Sequence, residues 1–361
     1  PFSYYLTYGL KLNDKETFKI ETMDTGSFMH DVIDNFFSTI EENNLNVKYI
    51  EDEEIEKIVS DVVKERLLQN KNYIFNANAK YKVLAARLQR VVTMSIKYIV
   101  QTLKQSEFTV LGHEVEFGEN EKESKPIIVT TADGTKVEIR GKIDRVDIMK
   151  NPDGTYVRII DYKSSVKNID LNQVAAGLQL QLITYLNEIC KVEDFIPAGV
   201  LYFNLLDKPA SLDKHLSDEE IENKIRQEFK MKGLILADVN VIKKMDTNIE
   251  NEPKGVSKII PATIKKDGEL SSKGTSAITR KQFEYLQAYS EKIIKQISEH
   301  ILDGNIEVKP FYNTSNKRTA CDYCKYRSIC RFDENSLTGD FNYISNMNKE
   351  AVLEMIKEKI L

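Results

Sequence analysis

Asp144 and Asp161 are the residues on which chemistry could rest. Asp144 lies in Gly141-Lys142-Ile143-Asp144-Arg145-Val146-Asp147, and Asp161 in Ile159-Ile160-Asp161-Tyr162-Lys163-Ser164-Ser165. Side chains alternate along a strand, so Asp161 and Lys163 share a face. Between the two segments stands Asn151-Pro152-Asp153-Gly154, a strong turn that can fold one strand alongside the other and bring Asp144 near Asp161. Two carboxylates that close repel unless a cation lies between them. With a lysine beside them they suit Mg²⁺-dependent hydrolysis of a phosphodiester. The metal activates water and neutralises phosphate charge, and the lysine orients the nucleophile or stabilises the transition state. Asp-x-Lys alone is equally a solvated surface pair of little energetic value. The apolar run Val157, Ile159, Ile160 ahead of Asp161, the apolar strand around Asp144 and the turn between them favour the site. Asp147, three residues from Asp144, is expected to face away and pair with an Arg or Lys.

A sheet must position these residues, and the chain supplies one between helical segments. Phe28, Met29, Val32, Ile33, Phe36, Phe37 and Ile40 recur at helical spacing, with Gly26-Ser27 as the expected helix start. The same spacing returns over 51–70 and 80–105. The period then shortens: 108–117, 127–131, 136–149 and 156–163 read as strands, 171–190 as a helix and 199–206 as another strand. This predicts an α/β core with antiparallel hairpins in it and a large helical N-terminal part. The expected organisation is a helical part over 1–107, a catalytic core over 108–206, an inserted loop and helix region over 207–280, and a C-terminal helix with a cysteine segment over 281–361. Ser217-Asp218-Glu219-Glu220 has the pattern of a helix-capping box, and 246–279 reads as a long loop or weak hairpin.

Three of the four cysteines, Cys321, Cys324 and Cys330, fall within ten residues, a spacing that suits a thiolate metal site in a reducing compartment. Zinc and iron–sulfur both accept such ligands. Lys317, Arg318, Lys325, Arg327 and Arg331 surround them, interleaved with Phe311, Tyr312, Tyr323 and Tyr326. That pattern is either a solvated charge run or a surface for single-stranded nucleic acid.

With 361 residues, 41% hydrophobic and 30% charged, the chain can bury a core and is not a disordered tail. A net charge of −5 excludes a globally basic nucleic-acid coat but not a local basic cleft. No apolar run approaches a membrane span, and no Walker-type phosphate loop predicts ATP hydrolysis. The opening at Pro1 rather than Met is expected of a fragment or a processed product.

Taken together, Gly-x-Ile-Asp-Arg and Ile-Ile-Asp-Tyr-Lys-Ser-Ser resemble the RecB branch of the PD-(D/E)xK nucleases. Gln181-x-x-x-Tyr185 is similar to that branch's Gln-x-x-x-Tyr motif. Asp24-Thr25-Gly26-Ser27-Phe28-Met29-His30 resembles its helix with a metal-binding His, and Glu114 in His113-Glu114-Val115-Glu116-Phe117 its strand-borne acid. The resemblance implies a restriction-endonuclease-like α/β fold, a central mixed sheet flanked by helices, in which His30, Asp144, Asp161 and the main chain near Tyr162 hold Mg²⁺. Glu114 is then a nearby carboxylate, with Glu116, on the same face by alternation, as the fallback. His113 is expected to point the other way and to be structural. Lys163 would position or deprotonate the attacking water, and Gln181 and Tyr185 would position DNA or the catalytic centre.

Within that branch, Pro1-Phe2-Ser3-Tyr4-Tyr5-Leu6-Thr7-Tyr8-Gly9-Leu10 and the cysteine segment are similar to the two ends of AddB-type nuclease domains. This implies a cytoplasmic exonuclease working on DNA, mainly single-stranded ends, and cutting the 5′-ended strand in break repair alongside an AddA-like helicase–nuclease partner. It also implies a [4Fe–4S] cluster on Cys321, Cys324 and Cys330. In AddB-type domains the fourth cysteine stands just before a Pro-Phe like Pro1-Phe2, so the cluster is expected to be incomplete or absent in this chain. Cys190, in an apolar helix, is a poor substitute. Rival expectations are a non-catalytic DNA-binding or scaffold module and a stand-alone Cas4-like nuclease.

Overall fold

The computed structural model describes residues 1–12, 22–69, 75, 77–117, 126–205, 217–335 and 339–361. Leu206 and residues 207–216, on which parts of the expected core and inserted region fall, lie outside the described residues.

Helical spacing after Thr25 becomes helix. Helix α1 (Phe2–Tyr4) runs into a wide turn over Tyr5–Gly9 and is followed by α2 (Thr22–Glu42), α3 (Asp52–Leu68) and α4 (Ala79–Lys104). The α2 face of Phe28, Val32, Ile33, Phe36 and Phe37 is buried, each side chain contributing roughly 1.5–3 kcal/mol by leaving water. The helix begins at Thr22, so Gly26 and Ser27 lie inside it rather than at its start. There Gly26 runs beside Ser164, which follows the Asp161 strand; a Cβ on Gly26 would stand 3.6 Å from its hydroxyl.

Strands β1 (Thr109–Phe117), β2 (Ile127–Thr130), β3 (Lys136–Ile139), β4 (Gly141–Asn151) and β5 (Gly154–Lys163) come next. Pro152 and Asp153 form the turn between β4 and β5, where Gly154 adopts φ +139°, open to glycine at little cost. Helices α5 (Leu171–Ala175) and α6 (Gln181–Glu193) replace the single helix expected over 171–190. Gly177 and Gln179 break it, both at positive φ, and the Gln179 amide ties back to Asp170 and Gln173. Strand β6 (Ile196–Asn204) is buried throughout. Pro197 is tolerated because it sits at a register shift where β6 has β5 on one side and no β7 partner on the other.

The 207–280 stretch is more than an inserted loop and helix. It contains α7 (Asp218–Phe229), β7 (Lys232–Leu236), α8 (Val239–Met245) and β8 (Ala277–Ile278), and its two strands extend the central sheet. Charge and glycine mask the strands in the sequence, but Leu234, Ile235 and Leu236 are buried, as are Ile259 and Ile260 of the irregular segment between. Ser217 and Glu220 form the expected capping box on α7. The chain ends with α9 (Arg280–Leu302), β9 (Phe311–Asn313), β10 (Arg318–Thr319), α10 (Arg327–Cys330), β11 (Asn342–Ile344) and α11 (Lys349–Ile360).

The central sheet is mixed, in the order β1-β4-β5-β6-β7-β8, with β5–β6 and β7–β8 parallel and the other pairs antiparallel. Helices α2, α3, α4 and α7 pack with one another and on β1 and β6, and α6, α9 and α11 form a second helical group joined to β5 and β6 through α6. No helix among the described residues is long and apolar enough to cross a membrane.

Candidate active site

Register brings the carboxylates together. Pairing of Arg145 with Ile160 sets Asp144 beside Asp161, and the Tyr162 amide donates to Asp144 Oδ2 at 2.6 Å. On the other side of β4, His113 pairs with Arg145 and Val115 with Ile143, which leaves Glu114 opposite Asp144. Helix α2 brings His30, whose Nδ1 lies 3.5 Å from Asp144 Oδ2 and 3.9 Å from Glu114 Oε1. One ligand atom from each of His30, Glu114 and Asp144 lies within 4.8 Å of the others. Asp161 stands next to this trio, buried and ion-paired with Lys163.

Glu114 is therefore grouped with His30 and Asp144 more closely than the sequence implied. The cause is local: Glu114 has φ +47° within β1, which interrupts alternation. His113 and Glu114 both turn toward α2 as a result, contrary to the expectation of opposite faces. The His113 Nδ1 sits 2.6 Å from Asp34 and its ring stacks on Phe37, while Glu116 is exposed.

Burial and the Asp144 carboxylate push Asp161 up to about 6, with Lys163 and His30 partly offsetting them. Glu114 is raised by burial, against the pull of Lys142. Burial opposes charge on His30, but its bond to Asp144 and the carboxylates of Asp144, Glu114 and Asp161 outweigh that and raise it. The buried Oδ2 of Asp161 has the Lys163 ammonium beside it yet no well-directed hydrogen bond. An imidazole nitrogen and clustered carboxylate oxygens form a donor set that fits a hard divalent cation.

Below the site, sequence reading found Asp147 but not its full setting. Asp147 Oδ2 accepts from Arg158 Nε at 2.9 Å, and its Oδ1 lies 3.0 Å from Arg145 Nε. All three side chains are fully buried. Arg145 also donates to the Tyr162 hydroxyl at 3.0 Å. Lys142, quoted in the motif without a role, is ion-paired with Glu114; its place two residues before Asp144 on the same strand was the available signal.

Gln181 and Tyr185 share a helix face, with Gln181 Nε2 donating to the Tyr185 hydroxyl at 3.3 Å. Tyr185 packs on Phe117 and over Gly141, the first residue of β4. They are not part of the His30–Glu114–Asp144 trio.

Cys321, Cys324 and Cys330 line one cavity of about 330 Å³ together with Pro1, Phe2 and Ser3. The N-terminal segment is fastened there: the Tyr326 hydroxyl meets Thr7 Oγ1 at 2.8 Å and donates to the Leu12 carbonyl at 3.1 Å. Tyr326 is buried by this and not free to stack on a base, whereas Tyr323 is exposed beside Arg318. Cys190 lies on α6, half-buried, its thiol pushed up to about 11 by burial.

A mixed sheet carrying three carboxylates and a lysine on adjoining strands, with a histidine brought to them by a packed helix, is the architecture of restriction-endonuclease-like phosphodiester hydrolases. A model of the PD-(D/E)XK nuclease superfamily matches residues 1–331, and the chain belongs to that superfamily. Among curated relatives, the B subunit of the ATP-dependent helicase/deoxyribonuclease of Clostridium kluyveri (strain NBRC 12016) is 38% identical over 366 residues, covering 100% of this chain and 31% of its own length. The protein of the same name from Clostridium novyi (strain NT) is 40% identical over 365 residues, covering 99% and 31%. This chain thus spans 31% of the length of the relatives it matches.

Proposed function

We propose that the chain is a divalent-metal-dependent deoxyribonuclease domain that shortens DNA ends within a helicase–nuclease complex, serving recombinational repair and acting on the 5′-ended strand. The observation that carries this reading is the approach of His30, Glu114 and Asp144 within 4.8 Å, beside the Asp161–Lys163 pair. In it, His30, Glu114 and Asp144 would hold Mg²⁺, together with Asp161 and the main chain at Tyr162. When bound, the cation supplies a Lewis acid that acidifies water and offsets phosphate charge.

The chain's own groups do the rest. Lys163, held against Asp161, aligns the attacking water and stabilises charge developing on the phosphate. Tyr162 holds Asp144 in place through its amide. Gln181 and Tyr185 position the DNA strand from the head of α6. The relatives are named as one subunit of a helicase/deoxyribonuclease, which supports a partner of the AddA-like helicase–nuclease kind. The cavity shared by Pro1–Ser3 and the three cysteines supports a [4Fe–4S] cluster, three of whose thiolates would be Cys321, Cys324 and Cys330.

Digestion of 5′- and 3′-labelled single-stranded DNA tests the reading. Cleavage in Mg²⁺, abolished by EDTA and lowered at least ~10²-fold in Lys163→Ala, is expected, with loss of the 5′ label first. Cleavage that persists in EDTA, or that is undiminished in Lys163→Ala, would overturn it.

A further inference from the structure

A second lysine touches the site, and nothing in the proposed mechanism uses it. Lys142 comes from β4, two residues before Asp144, and its ammonium is paired with Glu114. Its side chain is 49% exposed while that of Glu114 is 15% exposed, so the lysine reaches in from solvent over a half-buried carboxylate. Asp34 and Glu116 are the other carboxylates that act on it. Lys163 guards Asp161 in the same manner on the neighbouring strand.

Charge counting defines what Lys142 can do. With His30 neutral, as a metal ligand must be, Glu114, Asp144 and Asp161 against Lys142 and Lys163 leave the cluster with one excess negative charge. A divalent cation on those carboxylates turns this into one excess positive charge. The cation also competes directly with the Lys142 ammonium for Glu114. Of the other carboxylates that act on the lysine, Asp34 is held by His113 and Glu116 is exposed to solvent, so a half-exposed Lys142 released from Glu114 can take an anion that arrives with the substrate, and a phosphate on a DNA strand is that anion.

We infer that Lys142 is a phosphate-contacting residue of this site. It neutralises Glu114 while the carboxylates lack a cation, and passes to a DNA phosphate once a divalent cation takes Glu114. The inference rests on the metal-site reading above and adds an exchange of partners to it.

The test uses the 361-residue chain and two binding measurements, neither of which is activity. The first is calorimetric binding of Mn²⁺ to wild type, Lys142→Ala and Lys142→Arg. Removing the positive charge that competes with Mn²⁺ for Glu114 should tighten Mn²⁺ binding roughly tenfold in Lys142→Ala, the order of one charge–divalent repulsion in a water-like dielectric. The second is binding of a single-stranded oligonucleotide in Mn²⁺ across a salt series, with Lys163→Ala as the background to suppress cleavage. There Lys142→Ala should weaken DNA binding and reduce the salt slope by about one, and Lys142→Arg should restore both. A lysine with a merely structural role would weaken Mn²⁺ and DNA binding together, which would overturn the inference. So would unchanged values for both. Wild type that binds no Mn²⁺ at all would overturn the metal-site reading, and the exchange with it.

Discussion

Asp147 is the single negative charge among Arg145 and Arg158 in the sheet interior, and replacing it with Asn should be among the most damaging conservative changes in the molecule. All three side chains are fully buried. Asp147 takes a hydrogen bond from Arg158 at 2.9 Å and one from Arg145 at 3.3 Å. The pair of guanidiniums is unequal. Arg145 also donates to Tyr162, whereas Arg158 leaves both Nη1 and Nη2 without a hydrogen bond and rests over the Phe108 ring at 4.6 Å. Burial and the neighbouring Arg145 hold Arg158 below the usual arginine value despite Asp147. Burial also opposes charge on Arg145, but Asp147 and Tyr162 outweigh it and raise it. Asp147→Asn keeps the shape and strands two buried cations, at a cost of about 3–5 kcal/mol. Arg158→Met removes the surplus cation, leaves Arg145 and Asp147 matched, and fills most of the space over Phe108; it should cost less than about 1.5 kcal/mol. Urea unfolding followed by far-UV circular dichroism reads both, since the chain has no Trp. A cost for Arg158→Met equal to or above that of Asp147→Asn would refute the charge argument.

Two further expectations follow from the site's surroundings. Asp161 is raised from 3.8 to about 6 in the metal-free protein, so the folded chain binds its proton more tightly than the unfolded chain does. Its contribution is favourable at low pH and is lost as pH rises from about 3.8 through about 6, a span worth at most about 3 kcal/mol. In EDTA, Asp161→Asn should therefore gain stability over wild type above pH ~6 and gain little near pH ~4; an equal gain at both pH values would contradict the shift. At Gly141, a Cβ would collide with the Tyr185 hydroxyl and lie 3.0 Å from its ring carbon Cζ. Gly141→Ala should cost about 1–3 kcal/mol in wild type and much less in a Tyr185→Ala background, and equal costs in the two backgrounds would sink the packing account.

Much of this was legible beforehand because short-range rules govern it. The β4–β5 hairpin follows from a strong turn between two strands, and its register alone brings Asp144 to Asp161. The apolar stripe of α2 follows from helical spacing, and with it the placement of His30 on that helix. The opposite holds for β7 and β8. Each is short, and each owes its strand character to a neighbour already in the sheet rather than to a repeating pattern of its own. The break between α5 and α6 was hidden for a related reason, since Gln179 adopts a positive φ held by side-chain bonds to Asp170 and Gln173.

By itself, the sequence singled out the residues that could carry the chemistry and most of the strands and helices that bear them, because residue type, alternation and turn propensity act over a few neighbours. Only the tertiary structure decided which of those residues meet. The positive φ at Glu114 turned it toward His30 and Asp144, Lys142 came to rest on Glu114, and Tyr326 was drawn inward to hold Thr7 and Leu12. These contacts depend on how α2 and the N-terminal segment dock against distant parts of the chain, and packing over such separations leaves no periodic trace in the sequence.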